Sequence, residues 1–140
     1  MAGFEMRRRV LEEHPRGRVV MVDTIAHVAP EDAGHVVVAG SHGGVSSGEY
    51  AARVPVAAVF FNDAGGGKKD AGVASLANLE PEGIAAAAVS HDSARIGDAL
   101  DAWENGVVSR VNGPAAEGGL APGRPLRELL QRFTAKEKVR

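Results

Sequence analysis

Short apolar runs recur along this chain, each closed by glycine or polar residues. They are RVVMVD at 18–23, HVVVAG at 35–40, VPVAAVFFND at 54–63, GIAAAAVS at 83–90 and GVVSRVN at 106–112. Most lack clean polar alternation, which is how strands covered on both faces read. GVVSRVN is more polar and reads as an edge strand.

Helix-compatible segments lie between these runs. SSGEYAARV opens at Ser46 or Ser47 as N-cap, with Tyr50, Ala51 and Val54 on one face. KKDAGVASLANLEPEG sets Val73, Leu76, Ala77 and Leu79 at helical spacing and ends at Pro81 and Gly83. DSARIGDALDAWENG carries the clearest stripe, Ile96, Ala99, Leu100 and Trp103. Asp92 or Ser93 is its natural N-cap and Gly106 its C′ residue. PLRELLQRF repeats the stripe with Leu126, Leu129, Leu130 and Phe133, and Pro125 suits its first turn.

The two ends and one link are less regular. Arg7 to Arg9, among Glu5, Glu12 and Glu13, read as the solvated face of an N-terminal helical segment over residues 1–17. TIAHVAPEDAG fits a short helix or a loop. Residues 113–124 read as a Gly/Pro-rich loop, and 134–140 as a frayed tail.

Strands alternating with helices predict βαβ units. The expected fold is a single three-layer α/β domain over residues 1–140. Its sheet is mostly parallel, of about four to five strands, and right-handed crossovers are expected to put helices on both faces. The length of 140 residues agrees with one core. Glycine is abundant, at 18, and aromatics number only six (four Phe, one Trp, one Tyr), so Val, Ala, Leu and Ile must fill that core. Such side chains bury less area each, which points to a homo-oligomer.

Charge is nearly balanced, with 16 basic and 18 acidic residues, which removes the electrostatic argument for a nucleic-acid partner. The chain has no cysteine, which excludes disulfides, thiolate zinc sites and a cysteine nucleophile. Its charged start lacks a signal peptide's apolar core, and no apolar run approaches a membrane span of roughly 20 residues. The expectation is a soluble cytoplasmic protein without a membrane partner.

In an open parallel sheet, ligands bind beyond the carboxyl ends of the strands. Those positions hold Asp23, then Ser41, His42, Gly43 and Gly44, then Asn62, Asp63, Gly65, Gly66 and Gly67. Ser90, His91, Asp92, Ser93 and Arg95 follow the fourth run, and Asn112 the fifth. Ser, Asn, Asp and Gly are also the ordinary residues of turns and caps. His42 and His91 are different, because each follows a serine at a strand end and no turn requires either.

Named motifs fail. GVSSG at 44–48 matches the serine-hydrolase elbow, but that elbow needs a strand running straight into its first glycine, and SHGG intervenes. GGGKKD lacks the Walker pattern, with Asn62 and Lys69 where glycine and Ser/Thr belong. Asp70 stands where a dinucleotide fingerprint needs its third glycine. The motifs therefore give no support for a nucleotide cofactor. AGGGKKD can still present N–H groups and lysines to an anion. His42, Asp63, His91 and Asp92 are suitable types for a divalent metal, which stays open without a spacing motif.

The leading expectation is a small enzyme acting on a small anionic metabolite by acid–base or hydrolytic chemistry, a hydrolase or lyase. His42 and His91 would move protons, Asp63 would orient one of them or bind metal, and Ser41 or Ser90 could serve as nucleophile. Arg95 and the glycine turn would hold the anion, although Arg95 has the bland alternative of pairing with Asp98. The rival is a non-catalytic small-molecule-binding or subunit-interaction module.

Overall fold

Residues 8–14 and 17–128 are described by the structure, a computed structural model. The five apolar runs form strands, and a sixth precedes them. In chain order these are β1 (Arg8–His14), β2 (Gly17–Val22), β3 (Val36–His42), β4 (Ala58–Asn62), β5 (Ala85–Val89) and β6 (Val108–Val111). They make one six-stranded sheet in the order β1-β2-β3-β4-β5-β6. Strands β2 to β5 are parallel, and the two edges are antiparallel.

The helices are α1 (Val45–Ala52), α2 (Ala74–Leu79), α3 (Ala99–Asn105) and α4 (Gly113–Glu117). Strand alternation sends Val37, Ala39, Val59, Phe61, Ala86 and Ala88 into one apolar cluster, with Ala51 of α1 and Leu76 and Leu79 of α2. Val36, Val38, Phe60, Ala85, Ala87 and Val89 enter the other, with Trp103 of α3 and Ala115 of α4. The alanines of β5 are fully buried, and α4 packs directly against that strand. Small side chains there permit the close approach.

Crossover handedness does not put helices on both faces. Each crossover from β2 to β5 advances one strand in the same direction, so a constant hand keeps them all on one face. Ile25, Ala51, Val54 and Leu76, from the three crossovers, accordingly share one cluster. The opposite face is covered by α3 and α4, which flank the antiparallel β6.

The N-terminal segment over residues 8–14 is a strand rather than a helix. β1 pairs with β2 from Arg8↔Val22 to His14↔Gly17, with a bulge between Val10 and Glu12. Arg8 is bonded to buried Asp32, which also accepts the Ala29 N–H at 2.9 Å. This ion pair ties the edge strand to a turn on the neighbouring crossover. Residues 1–7 lie outside the described residues, as do 129–140 with the predicted tail and most of the PLRELLQRF helix. TIAHVAPEDAG makes two 3-10 turns, Ile25–His27 and Pro30–Asp32.

Helix starts also differ from expectation. α1 begins at Val45 behind Gly44, with neither Ser46 nor Ser47 as cap. α3 begins only at Ala99, capped by Asp98, whose side chain accepts the Asp101 N–H. Gly97, at φ 84°, turns the chain out of helical geometry and donates its N–H to Gly40 O. Ile96 therefore falls outside the helix and is 48% exposed. Gly106 ends α3 at φ −65° rather than left-handed; a Cβ there would meet Ala102 O at 2.4 Å, so close packing is the reason for glycine. Part of the 113–124 link is α4, capped by Asn112. No helix among the described residues is long and apolar enough to cross a membrane.

Candidate functional site

The carboxyl ends of β3, β4 and β5 share one edge of the sheet, because these strands are parallel and adjacent. His42 pairs in register with Asn62, and Asn62 with Val89. His42 and His91 thus stand at the same end, two strands apart.

The centre of this edge is Asp63. It follows β4 directly and is 7% exposed. Its Oδ1 accepts the N–H of Gly65 at 2.8 Å and of His91 at 3.0 Å, and its Oδ2 accepts the Ser109 hydroxyl at 2.7 Å. His91 Nδ1 lies 3.3 Å from Oδ1. Burial pushes the carboxyl upward, but the Ser109, Gly65 and His91 donors outweigh it and hold Asp63 below the usual carboxylate range.

The loop after Asp63 reaches this shape through left-handed backbone. Ala64, Gly65, Gly66 and Gly67 all have positive φ, from 53° to 88°, and so do Lys69 and Asp70. Glycine adopts this conformation without a Cβ penalty, whereas the three non-glycines carry local strain. Two of the three glycine N–H groups are turned inward, Gly65 to the Asp63 carboxylate and Gly66 to the Asp63 carbonyl. Gly65 thus gives its N–H to the protein's own carboxylate and Gly66 to the carbonyl of the same residue.

His91 is half exposed, with Asp63 at one ring nitrogen and Asp92 at the other, 3.3 Å from Nε2. A Cβ at Gly65 would sit 3.6 Å from its ring, so the glycine turn packs beside it. His42 is exposed and its Nδ1 accepts the Gly44 N–H at 3.0 Å. Gly43 donates to Gly72 O, so the loop after Asp63 touches the His42 side as well. Among the described residues no contact joins the two histidines, and no three His, Asp or Glu groups are arranged to hold a metal ion.

Other candidates are bound up in the backbone. Ser41 Oγ accepts the Ile25 N–H. Ser90 and Ser93 bond each other, and Ser93 Oγ also accepts the Val107 N–H. Neither Ser41 nor Ser90 bonds a histidine among the described residues, so the arrangement that activates a serine nucleophile is missing. Asn62 donates to Ala94 O and accepts from Ala64. Asn112 makes four backbone bonds, accepting from Ala86 and Ala115 and donating to Leu76 and Ile84.

Arg95 is directed elsewhere. It pairs with neither Asp63 nor Asp98. Its backbone N–H donates to Asp101 Oδ2; the Asn105 bond first, then this N–H and least of all the Arg95 charge hold Asp101 below the usual range. It lines a groove with Asp23, Gly97 and Asp98.

Two residues outside the expected set belong to the site. Ser109 lies on β6, and only the placement of β6 beside β5 reveals it. Arg110 bonds Asp70 at 3.2 Å, and its guanidinium would lie 3.3 Å from a Cβ on Gly66. Lys69, Asp70 and Arg110 line one end of an open groove of about 520 Å³ along α2 and β6, with Val73, Leu76 and Ala77 on its wall. Comparison with protein-family models, with curated proteins and with solved structures returned no match.

Proposed function

We propose that the protein is a small enzyme that moves a proton on, or adds water to, a small anionic substrate, with His91 as the acid–base group. One observation carries this reading: an ionised, buried Asp63, anchored by Ser109 and two N–H groups, faces Nδ1 of a half-exposed histidine at the carboxyl edge of a parallel sheet. A carboxylate at one ring nitrogen fixes the ring and supports a proton on that side, leaving the other nitrogen for exchange with a bound molecule. Asp92 Oδ1 lies 3.3 Å from that second nitrogen in the free protein and is displaced or recruited when substrate binds. Lys69 and Arg110, beside the same glycine turn, supply positive charge for the substrate anion. His42 borders the loop from its other side and contributes a second polar contact.

A specific observation favours a second reading, a non-catalytic small-molecule-binding or subunit-interaction module. Ser41, Ser90, Ser93, Asn62 and Asn112 all direct their hydrogen bonds into the fold, so the reactive set narrows to one His–Asp pair. The two readings separate by proton NMR in deuterated buffer with a panel of small carboxylates, phosphate esters and carboxylate esters. Catalysis predicts that at least one compound is consumed or exchanges a carbon-bound proton, and that His91→Ala abolishes this. Binding shifts without turnover or exchange support the module instead.

A further inference from the structure

β1 forms one edge of the sheet. Its inner side pairs with β2, and among the described residues no strand covers its outer side. Val10, in the middle of the strand, is 40% exposed. We infer that the occupant of this edge is a second copy of the same chain, joined antiparallel through β1 across a two-fold axis. This inference is independent of the His91 reading.

The charge pattern selects the partner. The strand reads Arg8-Arg9-Val10-Leu11-Glu12-Glu13, basic in its first half and acidic in its second. About a two-fold axis between Val10 and Leu11, Arg8 faces the partner's Glu13 and Arg9 faces the partner's Glu12. Each pair occurs twice, as an isologous interface requires. Parallel pairing sets arginine against arginine and glutamate against glutamate.

In an unbroken strand this register would fail. Residues three or five apart point to opposite faces, while residues opposed across an antiparallel pair must share one. The bulge removes the conflict for the two charged pairs. Arg8 and Glu13 stand opposite Val22 and Arg18, four apart on β2 and so on one face. Arg9 and Glu12 stand opposite Met21 and Val19, two apart and so together on the other. The extra residue at Leu11 thus brings both charged pairs onto shared faces, while beside the axis Leu11 packs on the Trp103 cluster and Val10, opposite Val20, stands on the other face. A bulge and charged side chains ordinarily blunt a sheet edge. Here both disfavour other registers and leave this one open.

Arg9 and Glu12 are the discriminating pair. Arg8 is already bonded to Asp32, and Glu13 lies 3.6 Å from Arg18. Glu12 contacts His14 at 2.8 Å, and Arg9 has no ion-pair partner among the described residues.

Sedimentation velocity on the full chain, from low micromolar to hundreds of micromolar, tests the inference. Wild type is expected to dimerise. Arg9→Glu and Glu12→Arg, each alone, place like charges across the axis and weaken association by about tenfold or more. The double variant R9E/E12R, and an equimolar mixture of the two single variants, restore it. Circular dichroism confirms that each variant is folded, which is expected because Arg9 is exposed and Glu12 is only partly buried. A wild-type monomer throughout the range overturns the inference, and so does a dimer that ignores the charge swaps.

Discussion

Ser109 donates its hydroxyl to Asp63 Oδ2 at 2.7 Å, reaching from edge strand β6 past β5 to the end of β4. This bond is the largest of the influences that lower the Asp63 carboxyl. Ser109→Ala leaves a buried carboxylate short of one donor. The expected loss is about 1.5–3 kcal/mol of stability, measured by urea denaturation at neutral pH. The same variant raises the Asp63 pKa, which carboxyl-carbon NMR titration reads directly.

Asp63 also sets an acid limit. Its folded pKa lies below the ordinary value, so folding favours the ionised form. Its contribution is complete above the unfolded carboxylate's pKa of about 4 and is lost as pH falls through the lower folded value. Asp63→Asn is therefore expected to be less stable than wild type at neutral pH, by about 1–3 kcal/mol, and to lose less on acidification below about pH 4. Denaturation series between neutral and acid pH compare the two slopes. Equal slopes would remove Asp63 from the acid transition.

Asn112 and Arg95 look alike in sequence as polar residues near strand ends, yet predict opposite outcomes. Asn112→Ala orphans four buried backbone groups and is expected to cost about 3 kcal/mol or more. Arg95→Ala removes an exposed side chain and stays within about 0.5 kcal/mol. Neither is expected to move the His91 ring resonances.

The apolar stripe of the α3 region divides at Gly97. Trp103 is 4% exposed and packs in the core, with the Arg127 guanidinium 5.1 Å from its ring. Trp103→Ala is expected to cost about 3–5 kcal/mol. Ile96 is half exposed, and Ile96→Ala is expected to cost under about 1 kcal/mol. Comparable losses would place Ile96 back in the helix.

Gly106→Ala tests the end of the same helix. A Cβ there meets Ala102 O at 2.4 Å and Val89 Cγ1 at 2.9 Å, so overpacking is expected to cost about 1–3 kcal/mol. A left-handed role would instead predict that asparagine rescues stability, which the φ of −65° argues against.

The sequence by itself determined the central strands. Runs such as Val36–Ala39 and Ala85–Val89 have no polar side to offer water, so they must be covered on both faces, and their spacing leaves room for crossovers. It also placed His42, Asp63 and His91 at one edge, because parallel strands end together. GVVSRVN read as an edge for the same reason, since its polar positions need solvent or partners. Local chemistry misled where a local rule had a distant competitor. Arg8 to Glu13 carry too much charge to resemble a strand, yet pairing with β2 and the Asp32 carboxylate outweigh helix propensity. Ile96 continues a helical stripe, but Gly97 is held by Gly40 from another strand. Only the tertiary structure decided which polar groups are available. Asn112 and Ser93 are consumed by backbone groups far away in sequence, Arg95 gives only its backbone N–H to Asp101, and Ser109 reaches Asp63 because β6 folds back antiparallel beside β5. A hydrogen bond needs two groups in register, and register between distant segments is set by the packing of the whole sheet.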